Sequence, residues 1–228
     1  MDGVTDHDSQ NAPADDFYAE PAHLELRRTI VAAAVETFRR RAFHETTLEA
    51  VAETAQLPLD AVTAQFPVWN GLVLAAVDRW TAERTSPLLP VMASHGTVLF
   101  LRRIVQSNIE DPSLMRLLSA LVNVAATPGH PLSELLQRDW SRFHRMVADG
   151  LRRDVELGRE PSTMAPARGA EQLLALYEGL QLQSMVRPRM DLLDAYDRAV
   201  TRLRDGWGRP YQAPTWDLDD LHVGGALV

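Results

Sequence analysis

The chain has 228 residues, of which 46% are hydrophobic and 24% are charged, and its formal net charge is −8. This ordinary composition excludes a wholly disordered, collagen-like or coiled-coil chain, and the absence of cysteine excludes a disulfide scaffold, a thiolate metal site and a cysteine nucleophile. No apolar run approaches the ~18–20 residues that span a bilayer, so we expect a soluble, cytoplasmic protein without a membrane partner.

The negative charge is concentrated at the two ends of the chain. Residues 1–20 contain six acidic residues and no basic one, and residues 207–228 carry a net charge of −2, so residues 21–206 are neutral overall. Few large apolar residues lie in the first segment, and the last one is rich in Gly and Pro. These compositions predict a disordered acidic tail over 1–20 and a flexible C-terminal tail over 207–228.

The first half of the chain shows helical spacing of its apolar residues. One long stripe ends at the arginine run 39–41, cations that favour a helix C-terminus. Thr46 and Thr47 then offer an N-cap for a short helix, and a second short helix follows Pro58. The four predicted helices cover residues 24–41, 48–55, 59–65 and 68–84.

The second half, beyond Pro87, is also helical by periodicity and contains neither strand-like alternation nor an internal repeat. The five predicted helices cover residues 98–109, 114–126, 130–158, 167–186 and 192–206. The predicted fold is therefore all-α, with about nine helices.

A longer helix followed by two short ones with a tight turn forms a helix-turn-helix outline, which presents its second short helix to the major groove of DNA. Fourteen apolar and threonine positions carry a family pattern: Ile30, Ala33, Ala34, Phe38, Thr46, Thr47, Leu48, Val51, Ala52, Ala55, Leu57, Val62, Phe66 and Leu72. On these positions, residues 26–77 resemble the DNA-binding domain of the TetR family of one-component transcriptional regulators. Through the runs 114–131 and 178–183, residues 113–187 resemble the all-α regulatory domain of many actinobacterial members.

The resemblance implies a helix-turn-helix DNA-binding domain over 21–67 and an all-helical ligand-binding and dimerisation domain over 68–206. It implies a homodimer formed through 167–205, since the last two helices of such proteins pair as a four-helix bundle. The implied function is that of a repressor that binds operator DNA and is released by a small apolar or amphipathic effector. No motif of a common enzyme type is present, so we expect neither catalysis nor a cofactor.

The DNA-facing positions depart from the family pattern. The glycine, capping serine, small residue and tyrosine of the family are Gln56, Pro58, Asp60 and Thr63 here, and the lysine that anchors a phosphate is Trp69. Residues 47–66 contain no arginine and three acids, although cations supply most non-specific affinity for DNA. The candidate DNA-binding residues are Arg39, Arg40, Arg41, Thr47, Thr63 and Gln65.

Two alternatives accompany this interpretation. The arginine run is equally typical of a solvated helix end, and Trp69 is typical of a residue that fills a groove between helices. An alternative function is a ligand- or protein-binding module on the same fold that has lost ordinary operator binding.

The implied regulatory domain places aromatic and polar residues where an apolar pocket needs a few polar groups. The candidate ligand-binding residues are Asn123, Trp140, Phe143, His144, Tyr177 and Gln181. The alternative is a filled core without a ligand. The seven histidines do not cluster at metal-ligand spacing, so no metal site is predicted.

Overall fold

The computed structural model describes the backbone of residues 15–212 and the side chains of residues 21–212. Within this part of the chain there are ten α-helices, two short 3₁₀ turns (Phe43–Glu45 and Ser86–Leu88) and no strand. The helices are α1 (Asp15–Arg40), α2 (Leu48–Ala55), α3 (Leu59–Gln65), α4 (Trp69–Thr85), α5 (Leu89–His95), α6 (Thr97–Glu110), α7 (Ser113–Ala126), α8 (Ser133–Glu156), α9 (Pro166–Val186) and α10 (Leu192–Trp207). The all-α prediction is confirmed.

Helix α5 is the element that the periodicity did not predict. It has only seven residues, with a proline in its first turn, and it ends at Gly96, whose φ of 95° lies outside the range of most L-residues. A helix of two turns is too short to display a repeating apolar stripe, so the sequence pattern does not reveal it. The helix forms despite its proline because a proline in the first turn loses no intrahelical hydrogen bond.

Helix α1 begins earlier than the sequence predicts. Its backbone is already helical at Asp15, so the last six residues of the predicted acidic tail 1–20 are part of the helix. Except at Pro21, which has no amide hydrogen, extending an existing helix adds one hydrogen bond for each residue that is fixed, and this extension does not need apolar residues. Residues 1–14 and the segment 213–228 of the predicted C-terminal tail lie outside the described residues.

Two apolar clusters organise the described chain. The first contains the buried faces of α1 to α4, and it continues into the C-terminal domain through residues of α7, the following turn and α8. The continuing residues are Leu114, Leu117, Leu121, Ala125, Leu132 and Leu136. A fully buried leucine contributes about 1.5–3 kcal/mol relative to an exposed one, so α7 and the start of α8 are part of what holds the helix-turn-helix domain together.

The second cluster lies between α6, α8, α9 and α10. Its fully buried members include Phe100, Leu101, Leu151, Leu173 and Tyr196. Leu118 packs against both clusters. The two predicted domains are therefore in direct apolar contact through α7.

Candidate functional site

Helix α2, which precedes the turn to α3, is fixed at both of its ends. Thr47 Oγ1 accepts a hydrogen bond from the Ala50 amide at 3.3 Å and caps α2, as its sequence position predicts. Gln56 ends α2 in the left-handed region, with φ 56°, and the Leu57 amide donates back to the Ala52 carbonyl at 3.0 Å. A residue with a Cβ is strained in this region, so the turn is held by packing rather than by a favourable local conformation.

The exposed face of α3 is apolar and acidic. Val62 and Phe66 are buried against α1 and α2, which leaves Leu59, Asp60 and Ala64 exposed. Thr63 is half-buried, and its hydroxyl donates to the carbonyls of Leu59 and Asp60 at 3.2 and 3.1 Å. The lone pairs of this hydroxyl remain for an outside donor, while α3 itself presents no cation.

The end of α3 is fastened to α1 by an arginine. Arg27 Nη1 donates to the Gln65 carbonyl at 2.7 Å, and its guanidinium lies 4.0 Å from the centre of the Phe66 ring. The Gln65 side chain is half-buried, and its buried Oε1 has no hydrogen-bond partner among the described residues. Arg27 therefore orients α3, and Gln65 is partly turned into the protein.

The arginine run at the end of α1 is divided among three different carboxylates. Arg39 lies 3.3 Å from Asp111 and 3.4 Å from Glu36, and its guanidinium lies over the Trp80 ring at 5.1 Å. Arg40 pairs with Glu36 at 2.6 Å, and Arg41 lies 3.5 Å from Glu53. Arg40, with 66% of its side chain exposed, is the most open of the three. Arg39 belongs to the contact between the two domains.

Trp69, at the first position of α4, completes an aromatic cluster. Its ring centre lies 5.9 Å from that of Phe38, which in turn lies 6.3 Å from that of Phe43. The side chain is half-buried against the first apolar cluster. This placement corresponds to the alternative in which Trp69 fills a groove between helices.

A polar network joins the end of α4 to α6 and α9. Arg84, near the end of α4, donates to Asn108 Oδ1 at 2.7 Å and to Asp111 Oδ2 at 3.1 Å. Asn108 Nδ2 donates onward to Gln181 Oε1 at 2.7 Å and to Tyr177 Oη at 3.2 Å. Burial alone would raise the pKa of Asp111, but hydrogen bonds from Ser113 and the charges of Arg84 and Arg39 lower it.

The network contains three residues that the sequence did not single out: Arg84, Asn108 and Asp111. The only available sign of this network in the sequence was Asn108, whose side-chain amide lies on the same apolar stripe of α6 as Leu101 and Val105. A buried amide needs partners for its donors and its acceptor, and here all of them are used.

Four of the six candidate ligand-binding residues come together between α8 and α9. Tyr177 and Gln181 are buried in the network, and the Phe143 ring centre lies 6.2 Å from that of Tyr177. Trp140 Nε1 donates to Glu178 Oε1 at 3.2 Å, and burial raises the pKa of this carboxyl despite that bond. His144 lies next to Phe143 on α8 and is half-buried.

Asn123 does not belong to this group. It is exposed on α7, where its carbonyl accepts a hydrogen bond from the Thr127 hydroxyl at 2.7 Å. The reason is its angular position, since Asn123 lies about 200° around the helix from the fully buried Leu121.

Neither a metal centre nor a membrane span is found in the described part of the chain. No group of three or more histidine, aspartate or glutamate side chains there could hold a metal ion. No described helix is both long and apolar enough to cross a bilayer.

The comparisons with known proteins agree with this architecture. Residues 97–205 match the family of BetI-type transcriptional repressor C-terminal domains. The structure of SmeT, the repressor of the Stenotrophomonas maltophilia multidrug efflux pump SmeDEF, is 24% identical, with a TM-score of 0.60, over 83% of this chain and 96% of that chain. A SmeT–triclosan complex is 24% identical, with a TM-score of 0.62, over 84% and 98%. Bacillus subtilis FadR in complex with stearoyl-CoA is 12% identical, with a TM-score of 0.64, over 78% and 98%.

No curated protein sequence matches the chain significantly. The predicted resemblance to the TetR family is confirmed by the fold and by the C-terminal domain. The likeness to actinobacterial members in particular stays a prediction.

Proposed function

We propose that this protein is a homodimeric repressor of transcription, because residues 97–205 match the BetI-type transcriptional repressor C-terminal family and the fold is similar to that of a solved TetR/AcrR-family regulator. It binds operator DNA through α2 and α3, and a small apolar or amphipathic effector in the C-terminal domain releases it. The observation that carries this proposal is the buried network from Arg84 to Tyr177 and Gln181, which links the two activities.

The network supports a coupling mechanism. Arg84 is about nine-tenths buried and lies on the helix whose first turn follows the recognition helix. An effector that displaces the Tyr177 and Gln181 side chains breaks the bonds that Asn108 donates to them, and Asn108 then no longer holds Arg84 in its present place. Release from DNA requires that the effector binds the resulting state more tightly than the DNA-competent one, and typical couplings are about 1–3 kcal/mol.

The solved complexes of two structural neighbours support the proposed class of effector. SmeT is solved with triclosan and B. subtilis FadR with stearoyl-CoA. Both ligands have large apolar parts, as does the interior between α6, α8, α9 and α10 in this chain.

The dimer proposal is supported by the outer face of α9 and α10. Leu182 and Val186 are 51% and 79% exposed on α9, and a groove of about 490 Å³ runs between the two helices. Apolar and charged residues of both signs line it: Leu180, Met190, Asp191, Asp194, Arg187 and Arg198. A twofold contact sets the same patch against itself, so a face with both signs of charge can pair with its own copy.

The dimer is tested by light scattering after size-exclusion chromatography. Val186→Glu places a charge on the exposed apolar face and is expected to shift the mass from that of a dimer to that of a monomer. Val68→Glu, at an exposed valine before α4, is the control that leaves the mass unchanged. A wild-type protein with the mass of a monomer would contradict the proposal.

The DNA-binding proposal predicts an interface with few phosphate contacts. Thr63 is available to accept a hydrogen bond, and Leu59 and Ala64 offer apolar contacts of the kind that read a thymine methyl group. Arg40 is the most open cation of the arginine run. Each phosphate contact contributes about −0.9 to the slope of log K against log [salt], so a slope of about −10 corresponds to roughly eleven contacts. We expect a much shallower slope for this protein.

The decisive experiment is a footprint on DNA from the genomic neighbourhood of the protein, at a series of stated salt concentrations. Thr63→Ala is expected to weaken the footprint, while Thr29→Ala leaves it unchanged. Thr29 is the matched control because its hydroxyl also donates within its own helix, to the Glu25 carbonyl at 3.0 Å, but it lies on the outer side of α1.

A second candidate function is a ligand- or protein-binding module that no longer binds an operator. The acidic and apolar face of α3, with Asp60 and Leu59 exposed and no cation, favours it. Absence of any footprint and of salt-dependent affinity, in a protein that is still dimeric, would support this second function and exclude the first.

A further inference from the structure

Two buried tyrosines in the second apolar cluster have hydroxyl groups without an oxygen acceptor. Tyr196 on α10 is 1% exposed, and its Oη has no hydrogen-bond partner among the described residues. Tyr177 on α9 accepts a bond from Asn108, but its own hydroxyl faces Met115 Sδ at 3.7 Å. A thioether is a weak acceptor, so both phenols retain most of their ability to donate. A buried donor without an acceptor destabilises a fold and calls for an explanation.

The surroundings of the two phenols are adaptable. The chain has seven methionines, and the six after Met1 all lie in the second cluster or pack against it: Met92, Met115, Met146, Met164, Met185 and Met190. None of them belongs to the first cluster. Methionine side chains are flexible and are typical of surfaces that repack around ligands. This uneven distribution makes the second cluster the more adaptable of the two.

The charges next to the cluster are already neutralised. Arg84 holds Asp111 at 3.1 Å, and Arg102 holds Asp197 through two contacts of 2.7 Å each. Burial raises the pKa of both Tyr177 and Tyr196, so both phenols are neutral donors in neutral solution. An anionic guest would have to compete with these carboxylates for Arg84 and Arg102, and burying an unpaired charge is far more costly than burying a hydrogen-bonded neutral group.

We propose that the buried, unpartnered hydroxyl of Tyr196 binds the carbonyl oxygen of a neutral, largely apolar effector, of the ketone, ester or amide class. This assignment rests on the proposed function and gives its effector a chemical class. Tyr177, the second phenol of this cluster, accepts a bond from Asn108, so an effector that displaces Tyr177 disturbs the network that ends at Arg84.

The test uses pairs of probes that differ only in the carbonyl: benzophenone with diphenylmethane, and 2-dodecanone with dodecane. Affinity is measured by thermal shift on the intact protein without DNA. The wild type is expected to bind at least one ketone about fivefold or more tightly than its hydrocarbon partner, the gain that one added hydrogen bond gives. In Tyr196→Phe that preference disappears, whereas Tyr211→Phe, at an exposed tyrosine, keeps it.

The stability of the ligand-free variant supplies an independent measurement. Because the Tyr196 hydroxyl has no partner, Tyr196→Phe without a probe is expected to melt at the wild-type temperature or above it. A lower melting temperature would show that the hydroxyl is already bonded and would overturn the assignment. So would a wild type without a ketone preference, or a preference that survives in Tyr196→Phe. Since no DNA is present, a failed footprint with an intact ketone preference would reject the operator proposal alone.

Discussion

Replacing Asp154 by asparagine tests how the C-terminal domain is held together. Asp154 lies on α8 and is 1% exposed. Its Oδ2 accepts the Thr97 amide at 2.7 Å, at the first position of α6, and its Oδ1 accepts Arg159 Nε at 2.8 Å. The carboxylate therefore binds one helix N-terminus and one arginine with its two oxygens. An asparagine at this position would keep the size of the side chain but offer a single oxygen.

The expected loss follows from these contacts. One of the two donors loses its acceptor, and hydrogen bonds to charged groups contribute about 1.5–3 kcal/mol each. The remaining bond also weakens, because the negative charge at the N-terminus of α6 disappears, which adds about 0.3–1 kcal/mol. We therefore expect Asp154→Asn to lower the free energy of unfolding by about 2–4 kcal/mol, and the melting temperature by roughly 4–16 °C.

Urea unfolding at fixed protein concentration, followed by circular dichroism at 222 nm, measures this loss. Asp149→Asn is the control on the same helix, since its ion pair with Arg152 is exposed on both sides and exposed pairs contribute about 0–1 kcal/mol. A loss below about 1 kcal/mol in Asp154→Asn, or equal losses in the two variants, would refute the view that this carboxylate anchors α6.

Three further changes test other parts of the structure. Arg84→Met removes the donor of Asn108 Oδ1 and one of the donors of Asp111, and it should lower stability by about 2–3 kcal/mol in urea titrations. The pKa of Asp111 is lowered in the fold, so the stability that this carboxylate contributes is present above its ordinary pKa of 3.8 and is lost as the pH falls further. The Arg84→Met variant should therefore lose less stability than the wild type on acidification. Parallel acid profiles of the two proteins would contradict this. Burial raises the pKa of Glu178, so the folded state gains stability as that carboxyl is protonated. Glu178→Gln should therefore be more stable than the wild type at pH 7 and equal to it in acid, and equal stabilities at both values would disprove the assignment. Gln56→Gly relieves the left-handed backbone at φ 56° and should raise the urea midpoint by the equivalent of up to about 1 kcal/mol. This value is the penalty of the left-handed conformation less the extra conformational entropy of glycine in the unfolded chain. A lower midpoint would show that the Gln56 side chain contributes more stability than its backbone strain costs.

The helices and the turn between α2 and α3 could be predicted from the sequence because their causes are local. Apolar residues at helical spacing placed nine of the ten described helices, and Thr47 was identified as the cap that it is. Helix α5 was missed because seven residues display no period. The start of α1 was missed because a helix extends beyond the residues that pack.

The side-chain partners could not be predicted because they are distant in sequence. Three adjacent arginines look like one cationic patch, but Arg39 meets Asp111, which lies 72 residues further on. Asn108 likewise meets Gln181, 73 residues away. Such pairings depend on how α6 crosses α9, which no local pattern determines. The exposed position of Asn123, by contrast, could have been predicted locally. The spacing of Leu117 and Leu121 already places Asn123 on the outer side of α7.

The continuation of the first apolar cluster into α7 and α8 has a consequence for building chimeric regulators. A boundary drawn after the recognition helix, at residue 67, cuts α4 and its partners Leu117, Leu121 and Leu136 away from α1. A hybrid that grafts residues 21–67 onto a foreign regulatory domain would expose to water the apolar faces of α1 to α3 that pack against these residues. A graft that also retains this protein's own α4, α7 and the first turn of α8 transfers α1 to α3 together with the apolar residues against which they pack.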